Sequence, residues 1–377
     1  MKNTFFNTSL LQASQRIAAG STMLYALDKN EQAVDISTNF KEQLLTNFCL
    51  QSWNRYPDMN LRDIEEKVAL YCGLHHDNIV LSDGSASIIT TLLNYFGLNG
   101  KHLVITQPSY SLFDYHCKTY NIPYEPWLLN NELQTDVRYM PKLSEQSVVF
   151  ITSPNNPTGS SISILEVENL LKQYPSTLFI IDGVYTEFAQ EDFTPLVLRF
   201  DNLMVLRSFS KAFPLAGLRL GYLCASKNLC HLVQKLLLPF SLNNFTIHVA
   251  RELLFTSAFL NDSKERIQQI ILERERMFTY LRERFNSEIL TVYPSEGNFL
   301  LIRFTSKHLF EQGLAKLSDH GIKVLNTSSN VLLENTFRVS IGNRYENELF
   351  LQTMTSLAYP IKPKVNSSRK SNAMLFS

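Results

Sequence analysis

The chain has 377 residues, of which 45% are hydrophobic and 19% are charged, a balance typical of a globular protein with a sizeable core. This length exceeds what one ordinary domain needs, so we expect two domains. Positive and negative side chains cancel to a formal net charge of zero, which argues against a nucleic-acid-binding protein.

Helical and strand patterns begin to alternate at about residue 60. Residues 1 to about 45 are irregular, with one extended-looking piece over 25–36. The stretch 61–71 predicts a helix, 79–82 a short strand, and 85–96 a helix whose apolar residues recur at helical spacing. A helical stretch is also expected over 164–173.

Short apolar runs bounded by Pro, Gly, Asn and Ser predict the remaining strands of the first domain. They cover 103–106, 148–151, 178–182, 203–208 and 220–225. Strands that are apolar throughout and alternate with helices indicate an α/β domain with a mostly parallel sheet covered on both faces.

The last third of the chain predicts a smaller α+β unit. A long charged helix over 263–285 would link the domains. Beyond it we expect strands at 299–304, 322–326 and 337–341 and helices at 307–319 and 346–357. The segment 361–377 is rich in Lys, Ser and Asn and is expected to be a polar tail.

Cysteine and histidine usage gives no sign of a disulfide framework or a metal site. The cysteines number five, an odd count, and no CxxC occurs, which suits a reducing cytoplasm. Neither a signal peptide nor an 18-residue apolar stretch is apparent, so we expect no membrane segment. The eight histidines are scattered, apart from adjacent His75 and His76, and core or surface placement is expected for them.

Candidate functional residues stand at the ends of predicted strands, where open α/β sheets bind ligands. Gly84 and Ser85 join a strand to a helix whose free N–H groups suit a phosphate, although a plain capped turn has the same composition. A second strand leads into Ser-Pro-Asn-Asn-Pro-Thr-Gly (153–159), which by itself is a turn but is rigid enough to hold an amide donor in a fixed place.

Asp182 ends a buried strand, where a carboxylate costs desolvation unless it meets a cation or caps a helix. Tyr185 lies three residues on and can face the same way. Lys211 follows an apolar strand and the hydroxyls of Ser208 and Ser210. Most lysines are solvated surface residues, but one in this setting can be desolvated, and a lowered pKa favours Schiff-base formation.

Taken together and in order, these strings resemble the fold-type I enzymes that depend on pyridoxal 5'-phosphate (PLP). They are most similar to the histidinol-phosphate aminotransferase family, over about residues 25–358. The strings are Asn-Arg-Tyr-Pro-Asp (54–58), Gly84-Ser85, Gln-Pro-Ser-Tyr (107–110), 153–159, 182–188, Ser-Phe-Ser-Lys-Ala-Phe (208–213), Ala-Gly-Leu-Arg-Leu-Gly-Tyr (216–222), Pro-Ser (294–295), Asn-Phe (298–299) and Phe-Arg-Val-Ser-Ile-Gly (337–342).

The resemblance implies the aspartate-aminotransferase fold, an α/β architecture with a mostly parallel seven-stranded sheet and a smaller α+β domain. It divides the chain into an N-terminal arm that joins the small domain (1–45), a large PLP-binding domain (46–265), a small C-terminal domain (266–360) and the polar tail (361–377).

The resemblance also implies roles around the cofactor. Lys211 would hold PLP as a Schiff base, and Asp182 would pair with the pyridine N–H. Asn156 and Tyr185 would hydrogen-bond the phenolic oxygen, and Tyr110 would stack on the ring. The phosphate would lie among Gly84, Ser85, Ala86, Ser208, Ser210 and Arg219.

Further roles concern the substrate and a second subunit. Arg338 would grip the substrate carboxylate with Asn156 close by, Asn30 would lie at the mouth of the site, and Tyr25 would contact substrate there. Tyr56 resembles the tyrosine that reaches the neighbouring subunit's cofactor phosphate, which implies a homodimer with shared active sites.

The implied activity is that of a class I/II aminotransferase that moves an amino group from a glutamate-like donor to a small 2-oxo or phosphorylated acceptor. A PLP-dependent lyase or cyclase, acting by elimination, decarboxylation or cyclisation, is the alternative, and a non-catalytic binding protein of the same fold is a third. The chain departs from the family pattern at Ala86, Gly183, Pro214 and Gly297, near the cofactor or substrate pocket, which leaves the substrate open.

Overall fold

The computed structural model of the protein describes residues 24–358. Its larger sheet has seven strands in the order β2-β8-β7-β6-β5-β3-β4. Strand β8 is antiparallel to both of its neighbours, and the other paired strands are parallel. The strands are β2 (Ile79–Ser82), β3 (Leu103–Gln107), β4 (Glu125–Leu128), β5 (Val148–Thr152), β6 (Leu178–Asp182), β7 (Leu203–Ser208) and β8 (Gly221–Ala225).

Helices cover both faces of this sheet because successive strand side chains point to opposite faces. Val149 and Ile151 pack into one hydrophobic cluster, and Val148 and Phe150 pack into the other. The helices of this part are α1 (Thr38–Cys49), α2 (Arg62–Cys72), α3 (Ser85–Leu98), α4 (Ser111–Tyr120), α5 (Ile164–Gln173), α6 (Lys227–Gln234) and α7 (Asn244–Glu252). The continuously apolar strands therefore contribute side chains to two hydrophobic cores, one on each face of the sheet.

The smaller sheet has five strands in the order β1-β11-β12-β10-β9. Strand β1, near the start of the described residues, pairs in parallel with β11, and the other pairs are antiparallel. The strands are β1 (Tyr25–Leu27), β9 (Leu290–Val292), β10 (Phe299–Phe304), β11 (Ile322–Asn326) and β12 (Thr336–Ser340), and the helices are α8 (Ser257–Arg284), α9 (Lys307–Asp319) and α10 (Arg344–Ala358). The predicted fold, a seven-stranded sheet with a smaller α+β unit, is confirmed.

Residues 24–45, the described part of the predicted irregular segment, are more regular than expected. The extended piece expected over 25–36 is a strand only at Tyr25–Leu27, and α1 follows. Ser37 caps this helix by accepting a hydrogen bond from the N–H of Phe40. Only Leu44 is buried in α1, so the helix lacks the apolar stripe by which a sequence reveals it.

Other differences concern boundaries and edge elements. Helix α8 begins six residues before the predicted start because Thr256 caps it through the N–H of Phe259. Strand β4 was missed because it contains Pro126, which edge strands tolerate but which argues against a strand in the sequence. Helices α4, α6 and α7 and strand β9 were also not predicted individually.

The proposed domain boundaries stay a prediction, although β1 does join the smaller sheet as an arm would. The polar tail and the first 23 residues lie outside the described residues. No helix within 24–358 combines the length and the apolar character needed to cross a bilayer.

Candidate active site

The site lies where parallel strands of the larger sheet end. Asp182 pairs in register with Thr152 of β5 and Leu206 of β7, so the carboxyl ends of three strands are level. A cavity of about 780 Å³ opens beyond them. The cavity is lined by most of the predicted site residues, namely Ser85, Ala86, Tyr110, Asn156, Asp182, Tyr185, Ser208, Ser210, Lys211, Arg219 and Arg338.

Lys211 presents a reactive amine inside this cavity. Its Nζ donates a hydrogen bond of 2.9 Å to the backbone carbonyl of Lys29, a residue of the N-terminal segment. Burial, assisted by the positive charge of Arg338, lowers the pKa of Lys211 to about 8. A substantial fraction of the side chain is therefore a neutral nucleophile near physiological pH, as attack on a carbonyl requires.

Asp182 is a buried carboxyl group without a hydrogen-bonded cation within the described part of the chain. The residue is 3% exposed, and its Oδ1 is buried without a hydrogen-bond partner there. Desolvation raises the pKa of Asp182 to about 7, against a backbone hydrogen bond from Val184 and the charge of Lys211. Such a group is satisfied by a buried, positively charged N–H.

Two glycines bring the start of α3 against a guanidinium group. A Cβ at Gly221 would lie 2.4 Å from the backbone N of Ser85, and a Cβ at Gly84 would lie 2.7 Å from Nη2 of Arg219. Gly84 also has φ of +102°, a conformation that L side chains rarely adopt. Their small size puts the positive end of a 14-residue helix beside a cation, which suits a phosphate.

Hydroxyl groups complete this candidate phosphate cradle. Arg219 donates from Nη1 to the Oγ of Ser210 at 3.4 Å, and the backbone N–H of Ser210 donates to the Oγ of Ser208 at 3.1 Å. Ser208 and Ser210 are both buried, so their polar groups are held in place before a ligand arrives. Arg219 itself has φ of +54°, a strained backbone of the kind that clusters at ligand sites.

Arg338, on β12, closes the cavity from the side of the smaller sheet. Its Nη1 donates to Oδ1 of Asn156, and its Nη2 donates to the backbone carbonyl of Asp28. The side chain stacks on Phe299, with Cζ 5.3 Å from the ring centroid, and burial lowers its pKa. A buried guanidinium group fixed by these contacts can bind a carboxylate entering between the two sheets.

Tyr185 and Asn30 form one buried unit. Nδ2 of Asn30 donates a hydrogen bond of 2.9 Å to the hydroxyl of Tyr185, and burial raises the pKa of Tyr185 to about 12. Tyr185 therefore stays protonated and can donate to an anionic oxygen. Asn30 was expected at the mouth of the site, but it lies behind Tyr185 with no exposed surface.

Tyr25 and Tyr56 do not line the cavity. The hydroxyl of Tyr25 contacts the hydroxyl of Tyr345 at 3.5 Å. Tyr56 is 82% exposed and stacks on Phe240, with ring centroids 4.7 Å apart. The substrate role of Tyr25 and the role of Tyr56 towards a second subunit stay predictions.

The cavity also contains residues that the sequence did not reveal. At its outer end Asp114 accepts a hydrogen bond of 2.9 Å from the hydroxyl of Tyr124 and pairs with Lys118 at 2.8 Å. A helical pair four residues apart is typical of a solvated surface, so its pattern offered no reason to choose it. Gln107, by contrast, ends β3 and is the first residue of the Gln-Pro-Ser-Tyr string, so its strand-end position was a usable indication.

Two departures from the family pattern have local packing reasons. A Cβ at Gly183 would lie 2.8 Å from Oγ1 of Thr186, and one at Gly297 would lie 2.4 Å from the ring of Phe299. The structure offers no comparable explanation for Ala86 or Pro214. Among the described residues, His75, His76 and Asp77 are close enough to share a metal ion, but Asp77 is paired with Lys227 at 2.8 Å.

The cavity fits PLP on its own geometry. The unpartnered Oδ1 of Asp182 suits the pyridine N–H, and the cradle at Ser85 and Arg219 suits the phosphate. The amine of Lys211 suits an aldehyde, and the hydroxyl of Tyr185 suits the phenolic oxygen. These groups converge on one cavity of sufficient volume.

Comparison with known proteins agrees with this fit. The model of the family described as aminotransferase class I and II matches residues 24–353. Histidinol-phosphate aminotransferase of Pyrococcus furiosus is 34% identical over 332 residues, which are 87% of this chain and 90% of that protein. The enzyme of the same name from Thermococcus gammatolerans is 32% identical over 333 residues, 88% of this chain and 91% of that protein.

Solved structures show the same fold. Histidinol-phosphate aminotransferase of Clostridium acetobutylicum superposes with a TM-score of 0.76 at 22% identity, over 89% of this chain and 99% of that one. The enzyme of Sinorhizobium meliloti, solved in complex with PLP, gives 0.77 at 19% identity, over 93% and 97% of the two chains. The chain therefore belongs to the class I and II aminotransferases, enzymes that depend on PLP.

Proposed function

We propose that the protein transfers the amino group of a glutamate-like donor to a small 2-oxo or phosphorylated acceptor, in the manner of the histidinol-phosphate aminotransferases that it resembles. The observation that carries this proposal is that one cavity is lined by both Lys211, whose pKa is lowered to about 8, and Asp182, whose buried Oδ1 has no hydrogen-bond partner among the described residues. Relatives at 32–34% identity over most of the chain support the substrate class.

The residues would divide the work as follows. Lys211 would hold PLP covalently as a Schiff base, and bound PLP supplies an electron sink for the carbanion at the substrate α-carbon. With an amino-acid substrate bound, Nζ of Lys211 would take the α-proton, and a pKa of about 8 suits a general base at neutral pH.

Substrate orientation would fall to Arg338 and Asn156. The guanidinium group would bind the substrate carboxylate bidentately. Its hydrogen bond to Asn156 would keep the bound carboxylate close to the cofactor. Asp182, Tyr185 and the cradle at Ser85 and Arg219 would keep the cofactor fixed while the substrates exchange. Because donor and acceptor would use the same groups in turn, ping-pong kinetics are expected.

Further features of the proposal concern the assembly and its place in the cell. Tyr56, exposed in the single chain, would reach the cofactor phosphate in a second subunit, so that a homodimer shares its two sites. Free cysteines at five described positions agree with a cytoplasmic protein. An arm, a large domain and a small domain with the boundaries given above would complete the organisation.

A half-reaction experiment tests the proposal. L-glutamate is added to the PLP-loaded enzyme without acceptor, and separately L-histidinol phosphate is added as donor. We expect loss of the visible absorption of bound PLP and release of one equivalent of 2-oxo product per site, with no change in Lys211→Ala. Release of carbon dioxide or ammonia instead would support the lyase alternative, and an unaltered spectrum with all donors would support a binding protein.

A further inference from the structure

A chain of buried hydrogen bonds connects strand β12 to the hydroxyl of Tyr185. Asn30 donates from its backbone N–H to Oγ of Ser340 at 2.8 Å, and that hydroxyl donates back to Oδ1 of Asn30 at 2.9 Å. Nδ2 of Asn30 then donates to Tyr185 at 2.9 Å, and Nδ2 of Asn298 donates to the backbone carbonyl of Asn30 at 3.1 Å. All four residues are at most 2% exposed, so water does not satisfy them.

This arrangement decides which way the amide of Asn30 faces. The oxygen of Ser340 already accepts from the backbone N–H of Asn30, so the serine proton needs an acceptor, and Oδ1 of Asn30 provides it. If the amide were reversed, its NH₂ would face Ser340 and the buried serine proton would lose this acceptor, which is unfavourable. The serine hydroxyl therefore holds Nδ2 towards Tyr185.

The amide orientation in turn decides which way the proton of Tyr185 points. Because Nδ2 is a donor, the phenolic oxygen uses a lone pair towards Asn30 and its own proton is directed elsewhere. A reversed amide would accept that proton and leave a lone pair facing the cavity. The hydroxyl of Tyr185 is a donor towards the cavity only in the first arrangement.

We infer that Ser340 and Asn30 are positioning residues that keep the proton of Tyr185 directed at the bound cofactor. The inference rests on the proposed role of Tyr185 as a hydrogen-bond donor to the phenolic oxygen of PLP. It assigns Asn30 to the support of Tyr185 rather than to substrate contact, and it gives Ser340, which lies 155 residues beyond Tyr185, a function in the site.

Strand β12 carries both Ser340, the start of these hydrogen bonds, and Arg338, the proposed carboxylate-binding residue. Arg338 and Ser340 are two residues apart on β12 and therefore point to the same face of the smaller sheet.

The visible absorption of bound PLP, titrated with pH in the absence of substrate, tests the inference. A donor to the phenolic oxygen stabilises its negative charge and favours the deprotonated chromophore, so removal of the donor raises the pH midpoint. We expect Tyr185→Phe to raise the midpoint by about one unit, a tenfold change in proton affinity. Ser340→Ala should raise it by about half a unit or more, while Ser340→Thr, which keeps the hydroxyl, should leave it in place.

A double variant separates positioning from a general structural effect. In the Tyr185→Phe background, Ser340→Ala should add no further shift, because the group on which it acts is gone. Asn30→Gly serves as the second variant, since φ of +55° at this position suits glycine, and it should reproduce the shift of Ser340→Ala even where that variant is unstable.

Three results would overturn the inference. One is an unchanged midpoint in folded Ser340→Ala and Asn30→Gly enzymes while Tyr185→Phe shifts, which leaves the proposed function intact. Another is an equal shift from Ser340→Ala with and without Tyr185. The third is an unchanged midpoint in Tyr185→Phe itself, which removes the proposed role of Tyr185 as well.

Discussion

Replacement of Asp182 by Asn should have opposite effects on the enzyme with and without its cofactor. In the cofactor-free protein the buried carboxyl group lacks a hydrogen-bonded cation among the described residues, and desolvation raises its pKa from 3.8 to about 7. Between these two pH values the folded protein binds more protons at this site than the unfolded chain, so the free energy of unfolding falls as pH rises from about 4 to 7. Above pH 7 the whole of this loss in stability is present.

The size of the effect follows from the same two values. The difference between 3.8 and about 7 corresponds to about 4 kcal/mol at about 1.4 kcal/mol per pKa unit. Part of this deficit is already present at pH 5, so about 2–3 kcal/mol should develop between pH 5 and pH 8. The amide introduced by Asp182→Asn does not titrate. The stability difference between the two proteins therefore reports the titration of Asp182 together with its charge interaction with Lys211.

Urea unfolding of the cofactor-free enzymes at pH 5 and pH 8 measures this difference. Asp182→Asn should gain about 2–3 kcal/mol relative to the parent protein on going from pH 5 to pH 8. With PLP bound, the ranking should reverse, because the parent carboxylate meets the pyridine N–H and the variant cannot pair its charge. A difference that is independent of pH in the cofactor-free proteins, or tighter PLP binding by the variant, would refute the reasoning.

Three further predictions follow from the site and its surroundings. Arg338→Lys should lower kcat/KM for carboxylate substrates about tenfold to a hundredfold, since a charge-assisted bond contributes about 1.5–3 kcal/mol and Lys cannot bind bidentately. Steady-state kinetics measures this loss, and the PLP affinity should be unchanged. The rate of PLP uptake by the cofactor-free enzyme should rise with pH and level off above about 8, because attack needs the neutral amine of Lys211. Stopped-flow absorbance measures this rate, and a rate that falls with rising pH would contradict the prediction. Arg207→Met should destabilise the protein by about 3–5 kcal/mol in urea unfolding, because the buried carboxylate of Glu187, 2.7 Å from the guanidinium group, would lose its cation. Adding Glu187→Gln should recover part of this loss.

Much of the cofactor site was predictable because its residues stand at local sequence landmarks. Asp182 ends an apolar strand, Lys211 follows another, and Gly84-Ser85 joins a strand to a helix. Parallel strands bring their carboxyl ends to one edge, so residues at those ends meet without further information. The apolar strand runs also indicated the α/β class, since only a sheet covered on both faces needs them.

The N-terminal segment and the edges of the fold were harder to predict. Helix α1 buries little of its own surface, and β4 contains Pro126, so neither has the periodicity from which a sequence is interpreted. Tyr25, whose substrate role stays a prediction, contacts Tyr345. These elements depend on what they pack against, which local pattern does not record.

The sequence by itself determined which chemical groups the protein carries and at which strand ends they stand. Only the tertiary structure decided how those groups are held. Asn30 meets Tyr185 and Ser340 across separations of 155 and 310 residues, and these contacts fix the direction of a single proton. Hydrogen-bond direction depends on which donors and acceptors of distant segments come into contact, and those contacts exist only after both sheets have packed together.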